Sequence, residues 1–240
     1  MPFFFALVLL GACCFNALAQ PKTVVLTFDD SVKSHVTYVA PLLEKHGFNA
    51  TFFITEGFAF KTRKDLYMTW DEIKSLHDRG FEIGNHTQHH RAVHQLSDDA
   101  LHASLITIEN QCVTNGIPRP ITFCYPGYAT SEKALVVLKE RGYVFARCGG
   151  ERASHIAKEN PLLLPQAFDG KPDCTLEKFK AAVDAADDTH IPILTFHGVP
   201  DTDHPWVSTD PKLFAAYMQH LSDEGFKVIA LRDYPAKTVE

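Results

Sequence analysis

From Lys22 onward, short apolar runs alternate with stretches whose apolar positions recur every three to four residues. Residues 23–28 (TVVLTF) are apolar and β-branched, the pattern of a buried strand. Residues 35–46 follow a helical pattern closed by Gly47, and residues 50–55 (ATFFIT) predict the next strand. A helix over 69–79 opens with Thr69 and Glu72 in capping-box spacing and stops at Gly80. Strands at 81–84, 121–125 and 143–148 then alternate with helices at 97–115 and 131–141. After a short apolar run at 162–164 come a helix at 175–189, a strand at 191–196 (IPILTF), a helix at 211–224 and a strand at 226–231. Seven or eight strand–helix units with no Ser/Gly linker predict one α/β domain, an irregular parallel (β/α) barrel with seven or eight strands. A doubly wound open sheet has the same periodicity. Residues 149–172 break the rhythm, so the barrel is irregular there.

The polar clusters Asp29-Asp30, Asn85 to His90, Pro126-Gly127 and His197 each follow the end of a predicted strand. In a parallel barrel those ends share one mouth, where active sites sit. Residues far apart in sequence are therefore expected to meet. With 240 residues, 45% of them hydrophobic, the chain has material for one well-buried domain. A net charge of −6 with no long basic block argues against a nucleic-acid partner.

The first nineteen residues carry no charged side chain, and the apolar run Phe3 to Leu10 precedes Ala17-Leu18-Ala19. The run is too short for a stable membrane span, and its small-x-small ending predicts a signal peptide over 1–19, with the catalytic domain at 20–240. Leu10-Gly11-Ala12-Cys13 offers a second outcome, lipid anchoring at Cys13. Either implies an exported protein, periplasmic or secreted. Cys112, Cys124, Cys148 and Cys174 would remain, with no C-x-x-C pair and so no zinc-thiolate signature.

Two adjacent carboxylates after a strand, Asp29 and Asp30, either cap the next helix or divide roles, one holding a cation and the other acting as base. His86, His89 and His90 lie within five residues. His86 and His90 have i, i+4 spacing, which puts two rings on one face; His86 with His89 is the competing pair. Two imidazoles with Asp30 would leave positions open for water and substrate, a set that suits Zn²⁺ and permits other divalent ions. His197 gains weight from the mouth it shares with these clusters, where it could protonate a leaving group.

These residues resemble the polysaccharide deacetylases of carbohydrate esterase family four, the NodB-like domain. Thr27-Phe28-Asp29-Asp30 matches the family's T-F-D-D motif, and His86-Thr87-Gln88-His89-His90 matches H-[ST]-x-x-H, which favours His90 over His89. Trp70-Asp71-Glu72-Ile73, Gly80 to His86 and the strand ending in His197 are also similar, so the likeness spans about residues 22–235. The resemblance implies removal of acetyl groups from a carbohydrate (an N-acetylglucosamine polymer, peptidoglycan or acetylated xylan) by a protein with one divalent ion, Zn²⁺ first. It implies Asp29 as base, His197 as acid, Asp30, His86 and His90 as ligands, and Leu194 against the acetyl methyl.

Two departures stand out. The family's third motif, R-x-P-Y, supplies an Arg that holds the base and a backbone N–H for the oxyanion. Here it reads Cys124-Tyr125-Pro126-Gly127, leaving Tyr125 and Gly127 as the oxyanion and substrate-pocket candidates. The Asp-rich fourth motif has no match between Arg147 and Pro165. Arg147, on the strand predicted at 143–148, is the first candidate to replace the missing Arg beside Asp29, ahead of Arg91 and Arg152. Other readings are a deacylase or amidohydrolase acting on a small amide, a carbohydrate-binding relative without turnover, and a metal-storage role suggested by thirteen histidines.

Overall fold

The computed structural model describes residues 21–236. The signal-peptide expectation, with Ala17-Leu18-Ala19 and Cys13, lies outside them. The chain folds in the order β1 (Thr23–Phe28), α1 (Ala40–His46), β2 (Thr51–Ile54), α2 (Trp70–Asp78), β3 (Glu82–Asn85), α3 (Asp98–Thr114) and β4 (Thr122–Cys124). It continues through α4 (Glu132–Glu140), β5 (Phe145–Cys148), β6 (Ser154–His155), β7 (Leu164–Pro165), β8 (Phe168–Asp169) and α5 (Leu176–Val183). The last elements are β9 (His190–Ile191), β10 (Ile193–Phe196), α6 (Pro211–Asp223) and β11 (Lys227–Ile229).

The main sheet is parallel and curled, in the order β7-β5-β4-β3-β2-β1-β10-β8, with β11 added beside the start of β1. Its two edge strands, β7 and β8, are consecutive pieces of one stretch, 164–169. The first piece pairs with β5 and the second with β10. The sheet therefore curls until a single segment serves both of its edges, which gives the irregular barrel expected from the alternation of elements.

Side-chain alternation divides each strand between two layers. Val24, Leu26 and Phe28 of β1 join a cluster with α1, α2 and α6, whereas Val25 joins a second cluster that contains no α-helical residue. That second cluster fills the space inside the curled sheet. Ile193 and Cys124 belong to it, while Leu194 and Phe196 face the helices, as do Phe123 and Tyr125 against α3 and α4. The stretch 164–169 breaks this rule once. Leu164 faces inward and Phe168 outward, so one residue, Ala167, shifts the alternation in the manner of a bulge.

The capping box at Thr69 and Glu72 is formed. Two elements differ from expectation. The helix predicted at 175–189 ends at Val183, because the Asp187 carboxylate accepts the backbone N–H groups of Thr189 and His190 at 2.7 Å each and turns the chain. The strand predicted at 191–196 splits at Pro192, which has no N–H to donate: β9 pairs with β6 and β10 with β1. The four described cysteines are all free thiols. No helix among the described residues is long and apolar enough to cross a membrane.

Candidate functional site

Strand parity delivers the site. Asp29, His86, Arg147 and His197 each sit an even number of residues from an inward position, so all four reach the axis at the C-terminal mouth. Asp29, His86 and His197 meet Asp30 and His90 in the lining of a cavity of about 330 Å³, and Arg147 is sealed behind Asp29. Asp30 reaches it through a left-handed backbone, φ +73°, which turns two adjacent carboxylates to one side.

His86 Nδ1 lies 2.8 Å from the Cys124 carbonyl oxygen and donates to it, which leaves Nε2 as the ring atom turned to the cavity. Nε2 of His86 and Nε2 of His90 stand 3.5 and 3.3 Å from the same Asp30 oxygen, Oδ1. That oxygen is buried and has no hydrogen-bond partner. One carboxylate oxygen and two imidazole nitrogens, all within 4.8 Å of one another, are a donor set that fits a divalent ion. Burial and the neighbouring His86 push His90 down to about 4, so its ring is neutral and free to ligate at neutral pH. Burial opposes ionisation of Asp30, but His86, His197 and His90 outweigh it and hold the carboxyl well below the usual carboxylate range. His89, the competing ligand, is exposed and outside this group.

Arg147 is fully buried and forms an ion pair with Asp29 through Nη2 and Oδ2. Its Nη1 donates to Gln166 Oε1 at 2.8 Å, and Nη2 also meets Cys124 Sγ at 2.6 Å. Burial works to raise the Asp29 pKa, but Arg147, with His86 and His197, outweighs it and keeps the carboxyl ionised. Cys124, at the family's Arg position, is a small side chain that leaves room for this guanidinium. Arg152 pairs instead with Glu159.

His197 Nε2 lies 4.0 Å from Asp29 Oδ2 and 3.9 Å from Asp30 Oδ2. Its Nδ1 faces Asp169 Oδ1 at 3.8 Å. Asp169 Oδ2 accepts from Tyr128 Oη at 2.8 Å and pairs with Lys171 Nζ at 2.8 Å. Tyr128 fits because Gly149 faces it: a Cβ there would lie 2.8 Å from the Tyr128 Cβ. Behind the site, His35 Nε2 donates to the His197 carbonyl at 2.9 Å from a π-helical turn, His35–Val39.

Two expected pocket residues are not in it. Leu194 alternates with Ile193 and Thr195 and so faces the helical layer, packed in the outer cluster. Tyr125 likewise points outward, donates its hydroxyl to Leu162 O at 3.0 Å, and gives its N–H to Arg147 O. Gly127 does line the cavity. Asp169, Tyr128, Lys171, His35, Phe58, His204 and Trp206 were not legible as site residues. The signal available for Asp169 was an acidic residue after an apolar pair, Ala167-Phe168, shortly before the helix at 175.

A carboxylate–imidazole cluster thus sits at the mouth of a parallel barrel. Residues 17–146 match the family model for polysaccharide deacetylase. With over half of its length matched, the chain belongs to the polysaccharide deacetylase family. It is 28% identical over 123 residues to a peptidoglycan-N-acetylglucosamine deacetylase of Bacillus cereus, covering 51% of this chain and 54% of that one. A chitin deacetylase of Pestalotiopsis sp is 27% identical over 129 residues, covering 53% and 42%. The chain thus spans about half the length of these curated relatives. Among solved structures, a family 4 carbohydrate esterase from Streptomyces lividans in complex with acetate superposes with TM-score 0.61 and 17% identity over 91% of this chain and 98% of that one. A family 4 acetyl xylan esterase from Clostridium thermocellum in complex with a cobalt ion gives TM-score 0.61 and 22% identity over 89% and 90%.

Proposed function

We propose that this chain is an exported, metal-dependent deacetylase that hydrolyses acetyl groups of a carbohydrate, with N-acetylglucosamine polymers, peptidoglycan or acetylated xylan as the substrate classes. The observation that supports this reading is the meeting, in one cavity, of three donor groups that could hold a cation with a further carboxylate and imidazole, Asp29 and His197. A protein that only bound sugar would need neither a base nor an acid. The names of the relatives, peptidoglycan and chitin deacetylases, support the substrate class.

Asp30, His86 and His90 would hold the ion, with Zn²⁺ first among candidates. A divalent ion there supplies polarisation of the acetyl carbonyl and acidification of a water. Asp29, kept ionised by Arg147, takes the proton from the attacking water. His197 gives a proton to the departing nitrogen or oxygen; its Nδ1 faces Asp169 across 3.8 Å with no hydrogen bond between them. Gly127 borders the space beside these groups and suits a close approach of substrate to backbone.

The test is acetate release from acetylated glucosamine oligomers, peptidoglycan and acetylated xylan, with and without chelator. Release abolished by chelator and restored by Zn²⁺ is the expected result; chelator-insensitive release would remove the metal. Mass spectrometry of the native protein should find a mature start at Gln20, and an intact Met1 or a lipid on Cys13 would overturn that start.

A further inference from the structure

We infer that Ser34 and His35 are positioning residues for the acid: they clamp residues 197–199 to the segment that carries Asp29 and Asp30, and so set where His197 stands before substrate arrives. The inference rests on the deacetylase reading and deepens it. The ladder between β1 and β10 ends with the bond from Asp29 N to Phe196 O at 3.0 Å, one residue short of His197. Beyond it the chain leaves the strand, with Asp30 and Ser31 both in the left-handed region at φ +73° and +57°. Two consecutive non-glycine residues there are uncommon and need their surroundings to hold them. Side chains of the next turn take over from the ladder. His35 Nε2 donates to the His197 carbonyl at 2.9 Å, and Ser34 Oγ accepts the Val199 N–H at 2.8 Å. Ser31 Oγ ties the same turn to the end of β2 through both polar backbone groups of Thr55, at 2.9 Å each.

The ring of His197 cannot set its own place. Its Nδ1 is buried without a hydrogen-bond partner, and its Nε2 is 4.0 Å from Asp29 and 3.9 Å from Asp30, beyond hydrogen-bond length. What holds the residue is backbone: the His197 carbonyl, the Gly198 carbonyl, which accepts from Thr209 N at 3.1 Å, and the Val199 N–H. Gly198 is needed for that path, because a Cβ there would lie 2.5 Å from the Asp201 Cβ. His35 is a poor choice for packing alone. It is fully buried, with its ring 5.5 Å from Phe28 and 5.4 Å from Phe52, and its Nδ1 has no partner. Burial pushes its pKa down to about 4, so the ring is neutral, with its proton on Nε2 facing the carbonyl. An apolar ring would fill this space without stranding a nitrogen, so the bond to the His197 carbonyl is what the imidazole adds. The clamp fixes the Cα of His197 and leaves the ring free to turn towards the leaving group.

The experiment is a double-mutant cycle on kcat for acetate release from acetylated glucosamine oligomers. His35→Phe keeps a ring in the same space and removes the donor. It is expected to lower kcat about 10–100-fold, the scale of misplacing a reacting group by up to about 1 Å. In the His197→Ala background the same change should lower kcat no further, because a residue acting through His197 then has nothing to act on. His35→Gln, whose amide can donate to the same carbonyl, should restore most of the loss. Ser34→Ala removes the other anchor and goes through the same cycle, so the outcome does not depend on how well His35→Phe folds. Metal content by elemental analysis should stay at the wild-type level in every variant. Equal losses in both backgrounds, no loss in either single variant, or a fall in metal content overturns the clamp on the acid and leaves the deacetylase reading standing. Wild-type protein that releases no acetate from any acetylated sugar overturns that reading and the clamp with it.

Discussion

The two sides of the mouth are built on different terms. On one side, Asp29 and Arg147 are sealed from solvent, and Arg147 also reaches Gln166 and Cys124. On the other, His197 faces Asp169 across 3.8 Å, and Asp169 is shared with Tyr128 and with Lys171, whose side chain is exposed. A sealed ion pair is oriented by the protein alone, because losing either partner strands a charge in a dry site. The looser side runs outward through polar groups, so arriving substrate can tighten it. In the proposed reaction Asp29 must be ionised before substrate binds, whereas His197 needs its final position only at the moment of transfer.

The largest expected effect tests whether that contrast concerns catalysis at all. Asp29→Asn and His197→Ala should each lower kcat by about 10²–10⁴, while Asp29→Asn keeps its metal by elemental analysis. Activity near wild type in either removes that residue from the reaction. Arg147→Met should lower stability by about 3–5 kcal/mol, as expected when one member of a buried pair is lost. Denaturant unfolding measures it, and an unchanged midpoint would mean that the sealed side is not held by the pair. Asp169→Asn should unfold like wild type and lose roughly 10–100-fold in kcat, the scale of a partner that orients a reacting imidazole. A large stability loss there would erase the difference between the sides. Tyr128→Phe removes one of two partners of Asp169 Oδ2, and a loss of only about two- to tenfold is expected. A larger drop would show that Tyr128, rather than Lys171, carries Asp169.

Strand parity explains what could be read from residues alone. Asp29, His86 and His197 follow strands long enough for their ends to be located, so their convergence was legible before any coordinates. The same alternation, applied to residues 193–197, would have turned Leu194 away from His197; family likeness placed it in the pocket, and the helical layer claims it. Tyr125 left the pocket for the same reason, one residue after inward Cys124. Asp169 was hidden because β7 and β8 are two residues each and change partners between them, too short for any periodic signal. The pairing of Arg147 with Asp29 needed only the absence of a cation at Cys124 and the next parallel strand, since Cys124 and Arg147 are register partners.

Residues 164–169 carry a consequence for how this mouth tolerates insertions and deletions. Gln166 bonds Arg147 beside Asp29 and Asp169 faces His197, and the two stand three positions apart, which ordinary alternation would send to opposite faces. Both point inward because Ala167 takes up the odd residue. A single-codon deletion at Ala167 would leave Gln166 and Asp169 two positions apart, so regular alternation would keep both on the inner face and remove only the bulge. This stretch can shed its odd residue and still turn Gln166 and Asp169 to the same face.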